Sequence, residues 1–482
     1  MATIGGAANA ATQAETYAAR EAGLNWLVTH QLADGSWGQG SVSATRDGYL
    51  NDIDTTAVAL MSFTSEAKGN TLRAPVAQGP LGHVDYKSDF VLTAAQQAAV
   101  TKGIAYIENQ AQVTPISAGQ GPFGTYNPDT NGNGVGVSWA GGSTQSTSLA
   151  FMALEQAQGA QYSSGYSATS SGPMSVIPLG ALAGRTFGSA GQDVADFLAY
   201  SQVDYGIHRG GWDYIANSSQ ANTTQTTFAL MALSNVEDTL SSTVVPVFVR
   251  SEVQYFSQYV TNQSGGLGEF WSLRPSFEAT LLGTRLPIFT GYSTGSPEFT
   301  SAISFLNAHW NDVGPGRGLG TGNIGNPLSL WLFDKQFAGA ADANYLPGAQ
   351  LGTELDDGRK GSLRFGTYPG NFLVSDYITN IGSGCGEPAD QLVSGVCNWS
   401  ESYQQWLVTH QNADGSFPTG DGYPSDAATT ALYLQAIDGY DSPAGGLPGG
   451  VPEPAAWTLM VAGFGLAGSA LRCHRRKVAV AA

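Results

Sequence analysis

Two stretches near opposite ends of the chain are almost identical: Trp26–Ser36 reads WLVTHQLADGS and Trp406–Ser416 reads WLVTHQNADGS. Ten of their eleven positions agree, although the stretches lie 380 residues apart. Both contain an Asp-Gly pair, which is typical of a turn because glycine adopts positive φ without steric cost. An aromatic residue follows each stretch, Trp37 in the first copy and Phe417 in the last. A segment that recurs in this way predicts a repeat protein.

An almost uncharged segment follows each copy. Asp52–Leu60 reads DIDTTAVAL, and Asp426–Leu434 reads DAATTALYL. A helix that is apolar on most of its faces is buried. We therefore predict a unit of two helices joined by a Gly-aromatic turn, with the second helix on the inside. Asp52 and Asp426 suit the N-cap of that helix, because a carboxylate accepts hydrogen bonds from free backbone N–H groups and favours the helix dipole.

Four weaker copies lie between these two, which makes six units and about twelve helices. The residues predicted to follow the six turns are Trp37, Phe123, Trp212, Leu267, Leu319 and Phe417. Thr144 and Thr223 align with Asp52 and Asp426 at the start of the inner helix. Because an open array of repeats needs dissimilar polar end units, matching first and last units favour closure into a ring.

The predicted fold is all-α. A flexible segment is expected at 1–14 and a ring of helices at 15–440. A Gly/Pro-rich linker is expected at 441–450, and a tail of different character at 451–477. The length of 482 residues is ample for a buried core. The net charge of −18 argues against a nucleic-acid partner, because phosphate contacts need clustered Lys and Arg.

The repeat resembles the QW motif of squalene cyclases and prenyltransferases, which reads Gln-x-x-x-Gly-x-Trp. Gln31–Trp37 fits the motif, and Gln411–Phe417 fits it with Phe in the last position. The resemblance implies an α/α toroid of six inner and six outer helices. It does not decide an activity, since such toroids serve terpene cyclases, prenyltransferases, thioester proteins and non-catalytic exported proteins.

The tail has the pattern of a membrane-spanning segment. Ala455–Leu471 is a run of seventeen residues without a charge, close to the shortest stretch that spans a bilayer. A basic cluster follows, which places the C-terminus in the cytoplasm and the body outside. The residues of this pattern are Val451, Pro452, Glu453, Pro454, Arg472, Arg475 and Arg476.

This tail resembles the PEP-CTERM sorting signal of Gram-negative bacteria. The resemblance implies export, recognition by an exosortase in the inner membrane, removal of the tail, and a final location in the envelope or extracellular matrix. Residues 1–20 have neither the basic nor the apolar region of a signal peptide. We interpret this as a start codon placed too late.

Asp52 and Asp54 are the candidate catalytic residues. Squalene-type cyclases use an Asp-x-Asp-Asp motif whose middle Asp protonates the substrate, and the resemblance places Asp54 in that position. Here Thr55 stands where the motif ends in Asp. A capping role explains the same segment without chemistry, since Thr and Asp exchange at its first position in other units. We favour the capping interpretation.

Cys385 and Cys397 are the only cysteines of the body. In an exported protein a disulfide between them is favoured over a metal pair. Prenyltransferases bind zinc through Asp, Cys and His, but no zinc-ligand spacing is evident here, and no metal site of this kind is predicted. The segment at Cys385 also resembles the thioester signature Gly-Cys-Gly-Glu-Gln. Pro388 replaces the cross-linking Gln, so this motif forms no thioester.

Other polar residues give weaker signals. Asp129, Asn131 and Asn133 are spaced as in a calcium loop but lack the Glu at the twelfth position; calcium at these residues is a hypothesis, and no other cofactor is predicted. His30 and His410 occupy equivalent positions, which favours a structural role over a metal or acid–base role. Three inner aromatic residues are expected in the core rather than around a cavity: Phe228, Trp331 and Tyr433.

The sequence thus supports two functions. The first is an exported envelope or matrix protein with a non-catalytic binding or structural role. Its candidate partner is an extracellular polysaccharide or a hydrophobic ligand. The alternative is a terpene cyclase or prenyltransferase-like enzyme with Asp52 and Asp54 as its acid site. An enzyme predicts a deep apolar cavity at the inner-helix N-termini, with at least two convergent carboxyls of raised pKa. The first function predicts a filled or shallow centre, with Asp52 bonded to backbone N–H groups. Polysaccharide processing lacks a carboxylate pair visible in the sequence.

Overall fold

The structure is a computed structural model. It describes residues 13–38, 50–72, 92–121, 124–161, 176–239, 244–261, 264–269, 275–290, 297–309, 327–328, 331, 407–417 and 426–438. All of them belong to one compact unit, which takes in Met1–Ala74 and Tyr86–Tyr440. The second unit consists of Pro75–Asp85 and Asp441–Ala482, which lie outside the described residues.

The described chain is mostly helical. In order it forms α1 (Gln13–His30), α2 (Asp52–Leu72), α3 (Ala94–Gln110), β1 (Gln112–Pro115), β2 (Gly119–Gly121), β3 (Gly124–Tyr126), β4 (Val135–Ser138), α4 (Thr144–Gln161), a 3-10 turn (Gly180–Leu182), α5 (Phe187–Ser201), α6 (Thr223–Thr239), α7 (Val247–Val260), α8 (Phe277–Gly283), α9 (Arg285–Phe289), α10 (Pro297–Ala308) and α11 (Asp426–Asp438). Residues 327–328, 331 and 407–410 are also helical.

The inner helices are buried as their sequences predict, and so is the outer helix α5, in which Ser189 is the one exposed residue. From Asp52 to Thr64 every residue of α2 is buried, and the same holds for α4 from Thr144 to Leu154. The outer helices α3 and α7 instead alternate buried with exposed positions, because one face meets solvent. The inner helices therefore form the core.

The inner helices make a closed circuit of contacts. Helix α2 packs against α4, α4 against α6, and α6 against α8, while α11 packs against α2. Trp331, in the fifth unit, joins α6 to α11: its ring lies 6.3 Å from that of Phe228, and its Nε1 donates to Gln435 Oε1 at 2.8 Å. The predicted ring of helices is thus confirmed over the described residues.

The Gln of each QW match joins neighbouring outer helices, and so does Gln202, which bonds Gly210 O in its own turn as Gln31 bonds Gly35 O. Gln31 Nε2 donates to the carbonyl of Ala99 on α3, and Gln202 Nε2 donates to that of Val249 on α7. Gln411 Nε2 donates to the carbonyl of Ala19 on α1, which links the sixth unit to the first.

Four short strands interrupt the predicted all-α fold. β1 pairs antiparallel with β4, and β2 with β3, within the connection from α3 to α4. The prediction of Phe123 as the second turn residue is wrong in consequence, because Trp139, after this insertion, makes the contacts of Trp37. Trp139 Nε1 donates to Ile107 O at 2.9 Å, as Trp37 Nε1 donates to Leu27 O at 2.7 Å. Phe123 itself lies outside the described residues, as does Leu319.

Among the described residues, no helix is long and apolar enough to cross a membrane. The predicted span 455–471, the rest of the tail and the segments 1–12 and 439–450 lie outside those residues. The spanning helix therefore stays a prediction.

Candidate functional site

Polar side chains meet where three neighbouring inner helices begin. Gln145 Nε2 on α4 donates to Asp54 Oδ2 on α2 at 2.8 Å. Gln225 Nε2 on α6 donates to Gln145 Oε1 at 3.0 Å. Asn51 Nδ2 donates to Ser146 Oγ at 2.9 Å and ties α2 to α4 a second time. We call the chain of Asp54, Gln145 and Gln225 the polar chain.

Asp54 is the titratable member of the polar chain. It is 1 % exposed, and burial raises its pKa to about 6. Hydrogen bonding with Ser146, Gln145 and the backbone of Asn51 opposes this rise in pKa. Oδ2 accepts two N–H groups, whereas Oδ1 has no hydrogen bond of normal geometry from the described residues. A buried carboxyl in this condition holds a proton at mildly acidic pH.

The N-cap of α2 is Asn51, so the prediction that Asp52 caps this helix is wrong. Asp54 N donates to Asn51 Oδ1 at 3.0 Å, and Asn51 N donates to Asp54 Oδ2 at 3.2 Å, which is a reciprocal capping box. The helix begins at Asp52, so the cap falls one residue earlier than predicted. Oδ1 of Asp52 instead lies against Gly38, where an added Cβ would come within 1.9 Å of it.

The caps of α4 and α6 also precede the residues predicted, whereas the residue before Asp426 lies outside the described residues. Ser143 Oγ accepts the N–H of Ser146, and Asn222 Oδ1 accepts that of Gln225. Thr144 and Thr223, which were aligned with Asp52, are the first helical residues of α4 and α6. The capping chemistry is as predicted in kind, since Ser and Asn carry it, but not in position.

A second carboxyl of raised pKa lies at this end of the ring. Glu269 Oε1 accepts the backbone N–H of Thr224 at 3.2 Å, at the start of α6. Burial raises the pKa of Glu269, and the charge of Glu278 raises it further. The two carboxyls bond to different neighbours, Asp54 to α4 and Glu269 to α6, and share no hydrogen bond within the described part of the chain.

Buried side chains from three of the units pack together between the described inner helices. Phe228 and Trp331 stack with 28° between their planes, and both are at most 1 % exposed. Gln435 accepts from Trp331 and donates through Nε2 to Val58 O on α2 at 2.8 Å. Tyr433 packs edge-on against Phe417, with ring centroids 5.3 Å apart. The prediction that these aromatic residues belong to the core is confirmed.

The candidate calcium loop has its polar groups engaged within the protein. Asp129 Oδ1 accepts the N–H of Gly132. The side-chain amides of Asn131 and Asn133 donate to Asp193 on α5 at 2.6 and 3.0 Å, so their N–H groups face its carboxylate. In the described part of the chain, no group of three or more His, Cys, Asp or Glu side chains is placed to hold a metal ion. Calcium here stays a prediction.

The remaining predicted residues divide into two groups. His30 stacks on Trp26 with centroids 3.9 Å apart, and its Nδ1 lies 2.8 Å from Trp26 O, which agrees with a structural role. Thr409 and His410 repeat the 3.1 Å contact of Thr29 with His30. Cys385, Cys397 and the residues of the sorting signal lie outside the described residues.

Sequence reasoning missed Asn51, Gln145, Gln225 and Glu269. A signal existed for Asn51, because Asn followed three residues later by Asp is a capping pattern. For the two glutamines the only signal was a polar residue in the first turn of an apolar inner helix. That pattern does not tell which neighbour each side chain meets.

No protein-family model and no curated protein matches the chain. Among solved structures, the type II terpene cyclase MstE from Scytonema is 11 % identical with a TM-score of 0.41, over 89 % of this chain and 98 % of the cyclase. The protein geranylgeranyltransferase-I of Candida albicans is 13 % identical with a TM-score of 0.39, over 80 % and 84 %. The glucoamylase of Hormoconis resinae is 13 % identical with a TM-score of 0.44, over 89 % and 73 %. Likeness at this level assigns no activity.

Proposed function

We propose that the ring is the binding or structural domain of an exported envelope or matrix protein and carries out no reaction. The observation that supports the proposal is that Phe228, Trp331 and Gln435 are buried and packed against one another between the inner helices. A polyene cyclase must enclose a large apolar substrate, and ligand sites of that kind occupy roughly 300–1,000 Å³. Packed aromatic side chains at the centre take up space that such a substrate requires.

The tail supports the exported location. Val451–Pro454, the apolar run 455–471 and the Arg-rich end follow each other in the order of a sorting signal. In this proposal an exosortase of the inner membrane removes the tail and leaves the ring in the envelope or matrix. There it would contact an extracellular polysaccharide or a hydrophobic ligand.

The location is tested by mass spectrometry of the protein from its native cells. We expect a mature C-terminus near Pro454 and recovery from the envelope or extracellular fraction. Replacing Arg472, Arg475 and Arg476 together by Gln should leave the tail uncleaved, whereas replacing Arg359, Lys360 and Arg364 by Gln is the charge-matched control. An intact tail on the wild-type protein in the cytosolic fraction would overturn the proposed export.

The lack of reaction is tested by incubating the purified protein with squalene and with geranylgeranyl diphosphate, followed by mass spectrometry of the extract. We expect both substrates to be recovered unchanged. Binding is tested separately, by co-sedimentation of the ring with polysaccharide prepared from the same cells. A cyclised or transferred product from the wild-type protein would refute the non-catalytic proposal.

One observation favours the alternative of an acid-catalysed cyclase. Asp54 matches the middle Asp of the cyclase motif, is buried, and holds its proton to about pH 6 because burial raises its pKa. If product forms in the incubation, Asp54→Asn should abolish it, since an amide cannot supply the proton. Asp196→Asn, at another buried Asp whose pKa is raised to about 6, should leave it unchanged.

A further inference from the structure

The hydrogen bonds of the polar chain all run in one direction, from Gln225 as donor to Asp54 as acceptor, and Gln225 can set that direction. Gln225 Nε2 donates to Gln145 Oε1, and Gln145 Nε2 donates to Asp54 Oδ2. All three residues are at most 2 % exposed. An amide has one accepting end and one donating end, so the group that bonds one end of Gln145 decides which end faces Asp54.

Two directions of the chain let Gln145 bond Asp54 at one end and Gln225 at the other. In the observed direction the N–H groups point toward Asp54, and its carboxyl only accepts, which suits the ionised form. In the reverse direction a protonated Asp54 donates to Gln145 Oε1, and Gln145 Nε2 donates to Gln225 Oε1. That oxygen is buried and has no hydrogen-bond partner among the described residues in the observed direction, so the reversed chain supplies it with a donor.

We infer that Gln225, which does not contact Asp54, acts through Gln145 as a positioning residue for the carboxyl, and that the two amides turn over together when Asp54 gains its proton. The polar chain then links protonation of Asp54 on α2 to the orientation of the Gln145 amide on α4 and the Gln225 amide on α6. The inference concerns protonation alone, so it stands or falls independently of the proposed function.

No titratable side chain described on the elements packed against α2 contributes to the pKa of Asp54. Asp52 is the nearest in sequence on α2 itself. The described titratable side chains on its neighbours α1, α3, α4 and α11 are Glu15, Arg20, Glu21, His30, Lys102, Tyr106, Glu108, Glu155 and Tyr433. Burial is the largest influence on the pKa of Asp54 and raises it, and hydrogen bonds lower it. No charged side chain is among these influences. Hydrogen-bond donors are therefore the adjustable influence on this carboxyl.

The test follows the Asp54 carboxyl by NMR in the full chain labelled with ¹³C at aspartate carboxyls, with its signal assigned by Asp54→Asn. In the wild type we expect it to titrate near pH 6. Gln145→Met removes a donor that lowers the pKa, so the pKa should rise. Gln225→Met should also shift it, by about 0.5 unit or a threefold change in proton affinity, because the ionised state then loses a donor to Gln145 Oε1 and the protonated state loses an acceptor of Gln145 Nε2.

Gln435→Met is the matched control. Gln435 is also a fully buried inner-ring glutamine with two hydrogen bonds, one of them to Val58 on α2, yet it lies outside the polar chain. Its replacement should leave the pKa of Asp54 at the wild-type value. An unchanged pKa in Gln225→Met, or an equal shift in Gln435→Met, would overturn the inference.

A second measurement needs no substitution at either glutamine. In wild-type protein labelled at the side-chain amide nitrogen of Gln, the Gln225 signal should change with the same midpoint as the Asp54 carboxyl. Asp54→Asn should abolish that change. A Gln225 signal that stays constant while Asp54 titrates would show that the amides do not turn, and would refute the inference even if Gln225→Met failed to fold.

Discussion

Gln411 Nε2 donates a hydrogen bond at 2.7 Å to the backbone carbonyl of Ala19, across 392 positions of sequence. The same Nε2 also donates to Gly415 O at 2.9 Å, within its own turn. Gln31 makes the equivalent bond to Ala99 at 2.8 Å between the first and second units. The ring is therefore closed by the same contact that joins its neighbouring units.

We expect Gln411→Met to lower the free energy of unfolding by about 1–3 kcal/mol, because two partly buried carbonyls lose their donor while the length of the side chain is kept. Urea denaturation followed by tryptophan fluorescence measures the change. Gln31→Met should have an effect of similar size. Gln220→Met, at an exposed loop position, is the control, and equal midpoints for the Gln411 and Gln220 variants would show that the closing bond contributes nothing.

A second repeated contact joins each turn to its inner helix. Trp212 N donates to Thr226 Oγ1 at 3.0 Å, and that hydroxyl donates to Asn222 O at 2.7 Å. The other turn residues bonded to an inner-helix Thr in this way are Trp37, Trp139, Leu267 and Phe417. A Thr pair at the start of an uncharged helix is thus explained by the turn that it holds.

We expect Thr226→Val to destabilise the protein by about 1–3 kcal/mol, since the buried N–H of Trp212 then has no acceptor. Thr226→Ser keeps the hydroxyl and should cost less. The two variants are compared by their midpoints in urea at equal protein concentration. If Val proved as stable as Ser, the hydroxyl would not be the group that holds the turn.

The repeat, the two-helix unit and the closed ring could be predicted from sequence because each depends on short-range patterns. The eleven-residue copy fixes the turn, and the uncharged segments after Asp52 and Asp426 fix the inner helices. The second turn could not be placed, since a Trp–Thr pair that is 14 residues apart in Trp212 and Thr226 is only 8 apart in Trp139 and Thr147. A β-hairpin insertion before Trp139 moved the turn away from the nearest Gly-aromatic pair.

The candidate site was predictable only in part. Asp54 was identified by its motif, and its burial follows from an inner helix without charges on its apolar faces. The glutamines were not predicted, because Gln145 reaches Asp54, and Gln225 reaches Gln145, from helices whose rotation depends on packing around the whole ring. The cap was misplaced by one residue for a local reason, since both Asn51 and Asp52 are good caps and the helix start decides between them.

Gly206 and Gly210, in one loop, allow the cost of backbone strain to be measured separately from the cost of a steric clash. Gly206 and Gly210 both have positive φ, +77° and +86°. A Cβ at Gly210 would lie 1.8 Å from Glu252 O on α7, whereas a Cβ at Gly206 would meet nothing within 4 Å. The close approach at Gly210 is where the third turn packs on the fourth unit.

We expect Gly206→Ala to cost about 1–2 kcal/mol, the price of the left-handed conformation for a residue with a Cβ. Gly210→Ala should cost at least about 2 kcal/mol more, because the turn must also move away from α7. Thermal and urea unfolding of the two variants give the difference. Equal losses of stability in the two variants would mean that the structure relieves the close contact with Glu252 O at no cost in free energy.

The raised pKa of Asp54 has a consequence for stability that is measurable without knowing any ligand. Its pKa is about 6 in the folded protein against an ordinary value of 3.8, so the folded state binds the proton more tightly than the unfolded state. Between these two pH values the unfolded chain holds fewer protons, and the free energy of unfolding therefore falls as pH rises. A shift of about two pKa units corresponds to roughly 3 kcal/mol.

We expect Asp54→Asn to remove this part of the pH dependence. The amide stays neutral, and it can place its oxygen where Oδ2 accepts the N–H groups of Asn51 and Gln145. The variant should therefore match the wild type near pH 4 and be more stable near pH 7, by up to about 3 kcal/mol. Asp196 and Glu108, whose pKa values burial raises to about 6 and about 7, add slopes of the same sign to both proteins. The decisive quantity is the difference between variant and wild type in urea unfolding at pH 4, 5, 6 and 7; a difference that stays constant over this range would mean that Asp54 ionises at the same pH in both states.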